Sequence, residues 1–384
     1  VGTTVFASYN RNWAYDPSDV GFTVIPKFDR FVFNPKLFLY LSENTDFSFG
    51  INSMIENRLG GDMKYVEGKG DEEHSYFERN KTQRHSSQLT FEHRFDNQNR
   101  LNVKNSITYF SRKIEIPDFE FDGNQLSSFS EVSYIHTKEK TEWVTGANVW
   151  TDKFTEKKLT DFPVRDYNMT TFGLFVQNNT KITDWMNLET GLRTDYITDY
   201  GFAVLPRISS HFKITEKFSS RIGGGFGYKA PTIFSEDSER IQFQNVLPID
   251  DDINKLERSY GANVDFTYKT GLFNDQVFLS INQLFFYTYL KNPLELQSAD
   301  NNRWQFNNID GHVDSKGAET NMKIKYKDFG LFVGYTYTDA NVKEDGRSYR
   351  KTLTPKHKVN SVLMYEVEDK WKIGLEAYYT GKQK

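Results

Sequence analysis

Candidate strands in this 384-residue chain are joined alternately by a very short polar turn and a long, ragged loop. The turns fall at Glu43–Asp46, Asp96–Asn99, Lys138–Lys140, Thr183–Asp184, Thr215–Glu216, Lys327–Asp328 and Val367–Lys370. Long polar stretches separate them, among them Leu59–Asn80, Tyr228–Lys255, Lys291–Gly311 and Asn341–Thr354. One tight rim opposite one elaborate rim is the layout of a β-barrel that crosses a bacterial outer membrane. Such a chain is expected to pass or bind something at the cell surface. Catalysis is not expected.

Period-2 alternation supports that layout. Leu89, Phe91, His93 and Phe95 oppose Gln88, Thr90, Glu92 and Arg94. Leu101, Val103, Ile107 and Tyr109 oppose Asn102, Lys104, Ser106 and Thr108. The same division recurs at Ala262–Tyr268, Ala318–Tyr326 and Ile373–Tyr379. We count roughly 17 strands, often about 12 residues long; at ~3.3 Å per residue and a 40° tilt, such a strand rises roughly 30 Å. Strands in soluble sandwiches are shorter, typically about 5–6 residues. Short turns follow the even-numbered strands, so the first and last visible strands run the same way. Single-chain bacterial barrels have even strand numbers, so an odd count implies missing strands.

Composition fits a barrel whose alternate side chains meet lipid and water. Phe (33) and Tyr (22) are abundant, enough for aromatic girdles at two membrane interfaces. The densest apolar run, Leu37–Leu41, is far short of the ~18 residues of a spanning helix. A net charge of −4 gives no reason to expect nucleic acid, and the absence of cysteine excludes disulfides and thiolate metal sites. Residues Val1–Tyr9 already read as strand, with no leader in front. No linker divides the chain, so residues 1–384 are expected to be one barrel, itself part of a longer precursor.

No motif for catalysis or a cofactor emerges. Gly223–Ala230 contains a G-x-G-x-x-A string, but Pro231 follows at once and no βαβ unit surrounds it. The seven histidines lack H-E-x-x-H or H-x-H spacing. The acidic runs Asp71–Glu73 and Asp250–Asp252 read as solvated external loops, without EF-hand spacing. No Ser/His/Asp order or nucleophile elbow is present. No cofactor is implied.

From residue 204 onward the chain resembles the TonB-dependent outer-membrane receptors. Val204-Leu205-Pro206-Arg207-Ile208-Ser209 resembles that family's "PR-hydrophobic-S" strand. The stretch Arg221–Thr232, with Gly225, Phe226, Ala230 and Pro231, resembles "G-x-G-F-R-A-P-S/T". Lys255-Leu256-Glu257-Arg258-Ser259 resembles "K-P-E-x-S", with Leu256 in place of proline. Asn307–Asp310 with Gly317-Ala318-Glu319 resembles "N-x-x…G-x-E". Tyr335–Ala340 with Pro355 and His357 resembles "Y-T-Y-x-x-A…P-x-H".

The resemblance implies an all-β fold: a transmembrane antiparallel barrel of 22 strands around a plug. The plug and about five strands, two before this chain and three after it, are absent here. It also implies TonB-dependent active import, through that plug, of a scarce bulky ligand of the ferric siderophore, haem or cobalamin class. The partners implied are outer-membrane lipid, the imported small molecule and the TonB energy-transducing complex. Aromatic and Arg side chains dominate contact energy in binding sites. On that ground the candidate ligand contacts in external loops are Tyr228, Phe234, Arg240, Arg303, Trp304 and Tyr349. Three alternatives stay open: a passive porin with a constricting loop folded inward, an importer of glycans or peptides of the SusC type, and a soluble β-rich adhesin.

Overall fold

A computed structural model describes residues 1–368 and 370–383. Among the described residues, twenty strands carry the fold. In order they are β1 (Gly2–Asn12), β2 (Lys27–Ser42), β3 (Thr45–Gly61), β4 (Phe77–Arg94), β5 (Asn99–Ile116), β6 (Phe119–Lys138) and β7 (Thr141–Glu156). Then follow β8 (Tyr167–Thr183), β9 (Met186–Ile197), β10 (Gly201–Lys213), β11 (Phe218–Lys229), β12 (Glu257–Leu272) and β13 (Val277–Lys291). The last are β14 (Leu294–Ala299), β15 (Arg303–Asn308), β16 (Gly311–Tyr326), β17 (Phe329–Glu344), β18 (Arg347–Arg350), β19 (His357–Val367) and β20 (Trp371–Thr380). Two short helices, α1 (Met63–Val66) and α2 (Glu236–Arg240), sit in loops.

Eighteen strands form one antiparallel meander, and β14 and β15 form a separate hairpin. Setting aside β18, which pairs only with the tip of β17, seventeen strands make the wall, as the sequence predicts. They run up to 20 residues, longer than expected, because their loop-side ends project past the apolar band.

Two neighbouring rows across the sheet define its faces. Val103, Val132, Ala147, Leu174, Thr194 and Val204 are successive cross-strand partners from β5 to β10. One residue along, the partners are Lys104, Glu131, Asn148, Gly173, Asp195 and Ala203. The first row meets lipid and the second lines the lumen, because the pleat sends successive side chains to opposite faces.

Aromatic pairs mark both ends of the lipid face. Near the turns, Phe218 lies 6.3 Å from Phe266, and Tyr365 lies 5.0 Å from Trp371. Near the loops, Tyr196 pairs with Phe202 at 5.1 Å and Phe226 with Tyr260 at 4.8 Å. Tyr260 and Tyr268, on one strand, are about 26 Å apart along it, roughly 20 Å of height when tilted, which suits an apolar band of ~25 Å.

The loop rim is less uniform than expected. The β5–β6 and β9–β10 connections, at Pro117-Asp118 and Thr198–Tyr200, are as tight as the turns on the other rim. Asp118 and Asp199 take left-handed φ values of 61° and 69°, which lets the chain reverse there within two or three residues. Leu59–Asn80 is strand only at its ends, to Gly61 and from Phe77, and Lys291–Gly311 holds the β14–β15 hairpin.

Candidate functional site

The connection from β11 to β12, residues 230–256, does not extend into solvent. It folds inward as a strap across the mouth of the barrel. Ser235 starts α2 with a capping box, accepting from the Ser238 backbone while the Ser238 hydroxyl accepts from the Ser235 amide. Positive φ at Gln242, Phe243 and Asn245 then turns the chain back.

The strap buries Ile233, Phe243 and Val246 against Ile114, Phe121 and Phe154, which lie on the lumen face of β5, β6 and β7. Phe243 has no exposed surface and stacks on Phe121 at 4.5 Å and 17°. Phe234 meets Phe154 edge-on at 5.1 Å and Phe243 at 5.8 Å. Arg165, from the β7–β8 loop, is buried with its guanidinium over Phe121 and paired to Glu156. Its Nη1 donates to the Phe243 carbonyl at 2.5 Å. This buried cation is therefore neutralised and hydrogen-bonded, the condition under which burying it is tolerable.

Polar ties hold the middle and the far end of the strap. Arg112 on β5 donates to both carboxylate oxygens of Glu239, and Gln242 donates to Glu78 on β4 at 2.6 Å. The Tyr200 hydroxyl donates to Asp251 at 2.8 Å. Burial, followed by the bonded Asp251 carboxylate, pushes the Tyr200 phenol well above its ordinary range. From β11 to β5 is six strand spacings, about 29 Å along the wall, so these contacts lie on a chord over the lumen.

The β14–β15 hairpin joins the strap to make one cap. Val246 bridges Trp304 in parallel, the Trp304 amide donates to the Asn245 carbonyl at 2.9 Å, and Leu247 donates to the Trp304 carbonyl at 2.8 Å. Asn308 accepts from the Lys255 amide at 2.7 Å and donates to the Asn292 carbonyl at 2.7 Å. Glu257, buried at the start of β12, accepts from the Leu294 amide at 2.9 Å. The β17–β19 connection brings charged groups near the hairpin. Burial raises the Glu295 carboxyl, with Lys351 opposing and Glu344 and Asp237 reinforcing that shift. Tyr349 keeps 43% of its surface in water, yet partial desolvation first, then Glu295 and Glu344, push its phenol up to about 12. Strap, hairpin and β18 arm therefore face one another across a junction rich in carboxylates.

The six candidate contacts divide between this cap and its supports. Arg240 is exposed on α2; Trp304 and Arg303 adjoin on β15, with Arg303 Nε donating to the Asp300 carbonyl at 3.1 Å. Tyr349 is exposed on β18 and donates to Glu344 at 3.2 Å. Phe234 is part of the cap's apolar core. Tyr228 leans inward from the top of β11 and donates to Asp195 on the lumen face at 2.9 Å. A crevice of about 760 Å³ opens beside the strap tip, lined by Phe119, Phe162, Phe243, Glu156 and Lys157.

The motif residues have structural positions. Pro206 lacks an N–H, and the β10–β11 ladder ends beside it at Arg207–Gly225, which frees the upper part of β11 to lean in. Arg207 points into the lumen and pairs with Glu189 at 3.0 Å. Ser259 faces Gly227, and Phe226 sits in the aromatic girdle. Ala230, the first residue of the strap, packs against the cluster of Ile197, Ala203 and Leu256, and Pro231 beside it is buried. Gly317 leaves room for the Phe286 ring, which a Cβ there would meet at 2.5 Å. Glu319 accepts from Asn321 at 2.6 Å. Pro355 is buried, while His357 lies in the loop-side girdle and hydrogen-bonds Tyr335 at 2.9 Å.

Sequence reasoning missed the residues that hold the cap: Arg112, Phe121, Arg165, Glu239 and Phe243. A signal was present. Ile233, Phe234, Ile241, Phe243, Val246, Leu247 and Ile249 make this stretch too apolar for a solvated loop.

Comparisons with known proteins agree with this architecture. The family described as TonB dependent receptor-like, beta-barrel, matches residues 26–384. No curated protein matches the sequence. Among solved structures, the siderophore receptor PirA from Pseudomonas aeruginosa is similar with a TM-score of 0.71 at 14% identity, covering 100% of this chain and 66% of that one. The FrpB iron transporter from Neisseria meningitidis aligns with a TM-score of 0.76 at 13% identity, over 98% of this chain and 64% of that one. The haemophore receptor HasR from Serratia marcescens aligns with a TM-score of 0.74 at 11% identity, over 99% and 68%. The chain thus spans just under two thirds of the first two proteins. It belongs to the TonB-dependent receptors, as a transmembrane barrel of that family.

Proposed function

We propose that this barrel serves TonB-dependent import of a ferric siderophore, haem or cobalamin across the outer membrane of a Gram-negative bacterium. The lumenal plug and remaining strands would be supplied by the rest of the receptor. The observation that carries this reading is the folded cap. It offers a mixed aromatic and charged surface, Arg240, Arg303, Trp304 and Tyr349 among it, above a wide polar lumen. Such a surface suits a bulky ligand held by several contacts better than a small solute in free passage. The siderophore, iron and haemophore receptors that resemble this fold support iron chelates within that class.

A strain lacking the receptor should lose growth on one such ligand under limitation. Restoring the receptor should restore growth only while the inner-membrane proton gradient is intact. One observation favours a second reading: an inward-folded loop is what a passive porin would carry. Sugar-driven swelling of liposomes holding the receptor, or uptake indifferent to a protonophore, would establish that reading instead.

A further inference from the structure

Resting on the import reading above, we infer that the strap is a fixed partition of the barrel mouth rather than a lid. Its outward face, including Arg240 and the adjoining Trp304, is then a preformed floor for arriving ligand. Passage is left to the sector of the mouth that the strap does not cross.

The reasons are energetic. A lid must leave its seat at modest cost, and elements that move come from the weakly packed end of a structure. This strap is seated by a continuous apolar core in which Ile233, Phe243 and Val246 are 0–1% exposed. Swinging it outward would expose Phe121, Phe154 and Ile114 on the wall as well. It would also strip the Phe243 carbonyl from the buried Arg165 and break the Glu239 and Gln242 ties to β5 and β4. The parallel bridge at Val246–Trp304 would carry the hairpin along, and with it the Glu257–Leu294 contact. Two other loops, 62–76 and 13–26, lack such a seat. In loop 62–76 the helix α1 buries no residue, and Trp13, Tyr15, Val20 and Val24 in loop 13–26 are all more than half exposed.

Two measurements on the receptor as the cell makes it decide the matter. The first is hydrogen exchange of the unsubstituted protein in outer-membrane vesicles. Amides of residues 233–246 are expected to exchange within about threefold of those in β5 and β6, and at least about 100-fold more slowly than loop 62–76. Strap exchange as fast as that loop overturns the partition. The second uses the absence of cysteine from this barrel, with any cysteine elsewhere in the receptor replaced by serine. In the double variant R112C/E239C, a short bismaleimide joins strap to wall, and uptake of iron-55 ferric enterobactin is followed. Uptake by the joined receptor within about twofold of the unjoined double variant supports a fixed strap. Loss of uptake on joining, with the unjoined variant active, overturns it. Failure of the unsubstituted receptor to take up ferric siderophores, haem and cobalamin alike counts against the import reading alone, and hydrogen exchange still decides the strap.

Discussion

Arg112 on the inner wall holds Glu239 of the strap through two hydrogen bonds, at 2.8 and 2.7 Å, across 127 residues of sequence. Both bonds leave the same guanidinium nitrogen, and the two side chains keep 22% and 38% of their surface in water. The pair is therefore worth about 1 kcal/mol rather than the several of a buried one. Arg112→Ala is expected to raise the exchange rate of α2 amides roughly fivefold, while heat-modifiable mobility, a property of the whole barrel, stays unchanged. Gel mobility altered as much as strap exchange would show that the contact supports the wall instead.

Phe243 carries more. Its ring is enclosed by Phe121 and Phe234, so Phe243→Ala removes a fully buried aromatic and leaves a cavity, at about 3–5 kcal/mol. Phe243→Leu keeps most of the volume and should cost below about 1.5 kcal/mol. Limited proteolysis of the receptor in detergent is expected to cut within 231–247 in the alanine variant and to spare the leucine variant. Equal resistance of both would mean that the strap does not depend on this core.

Gly317 tests the lumen face of the wall. A Cβ there would lie 2.2 Å from the Tyr337 carbonyl oxygen as well as against Phe286. Backbone cannot yield as a flexible side chain would, so Gly317→Ala is expected to destabilise by about 1–3 kcal/mol through overpacking. The checking measurement is the fraction of receptor that reaches the heat-modifiable, folded form in cells. Gly330→Ala, where a Cβ meets nothing, is the matched control and should fold normally.

The wall was legible in the sequence because a membrane imposes one simple rule on it. A row such as Val103, Val132 and Leu174 must be apolar and the next row need not be, so period 2 survives in the letters. The turns were legible for the same reason: Glu43–Asp46 and Thr215–Glu216 are polar punctuation between long runs. The cap was not, since its packing is set by contacts such as Phe121–Phe243 that no local period encodes. Arg165 and Glu156 look like any charged loop pair until burial makes them mutually necessary. Of the six residues picked as ligand contacts, Phe234 was chosen for being aromatic, and its surroundings rather than its type place it in a core.

Acidity should act in opposite directions at two loop sites. Glu295 is raised above its ordinary value of 4.5 because burial favours the neutral carboxyl. The folded cap thus binds more protons than the unfolded chain between that value and the raised one. Its stability falls as pH rises through this window and is fullest below it. Asp62 is lowered from 3.8, chiefly by the hydrogen bond from His74, so its contribution is present above that value and lost as pH falls through the depressed one. Protection factors of 294–299, from which the intrinsic pH dependence of exchange is removed, should therefore rise on mild acidification, and Glu295→Gln should flatten that response. Protection factors of 63–67 should fall only at lower pH, and Asp62→Asn should flatten that response. A Glu295→Gln cap still tightening with acid would place the titrating group elsewhere.

Leu174 and Gln177 distinguish the two faces on a single strand. Leu174 is 67% exposed although it lies in the middle of the apolar row, as expected of a side chain whose neighbours are lipid. Gln177 points into the lumen, opposite Gly191. An arginine at the bilayer midplane costs about 2–4 kcal/mol, while lumen positions tolerate charge. Leu174→Arg is therefore expected to cut folded receptor in the membrane severalfold, and Gln177→Arg to leave the yield near that of the unsubstituted protein. Reversal of this order would mean that the rows have been assigned to the wrong faces, because a one-residue shift in register exchanges lipid for water along the whole strand.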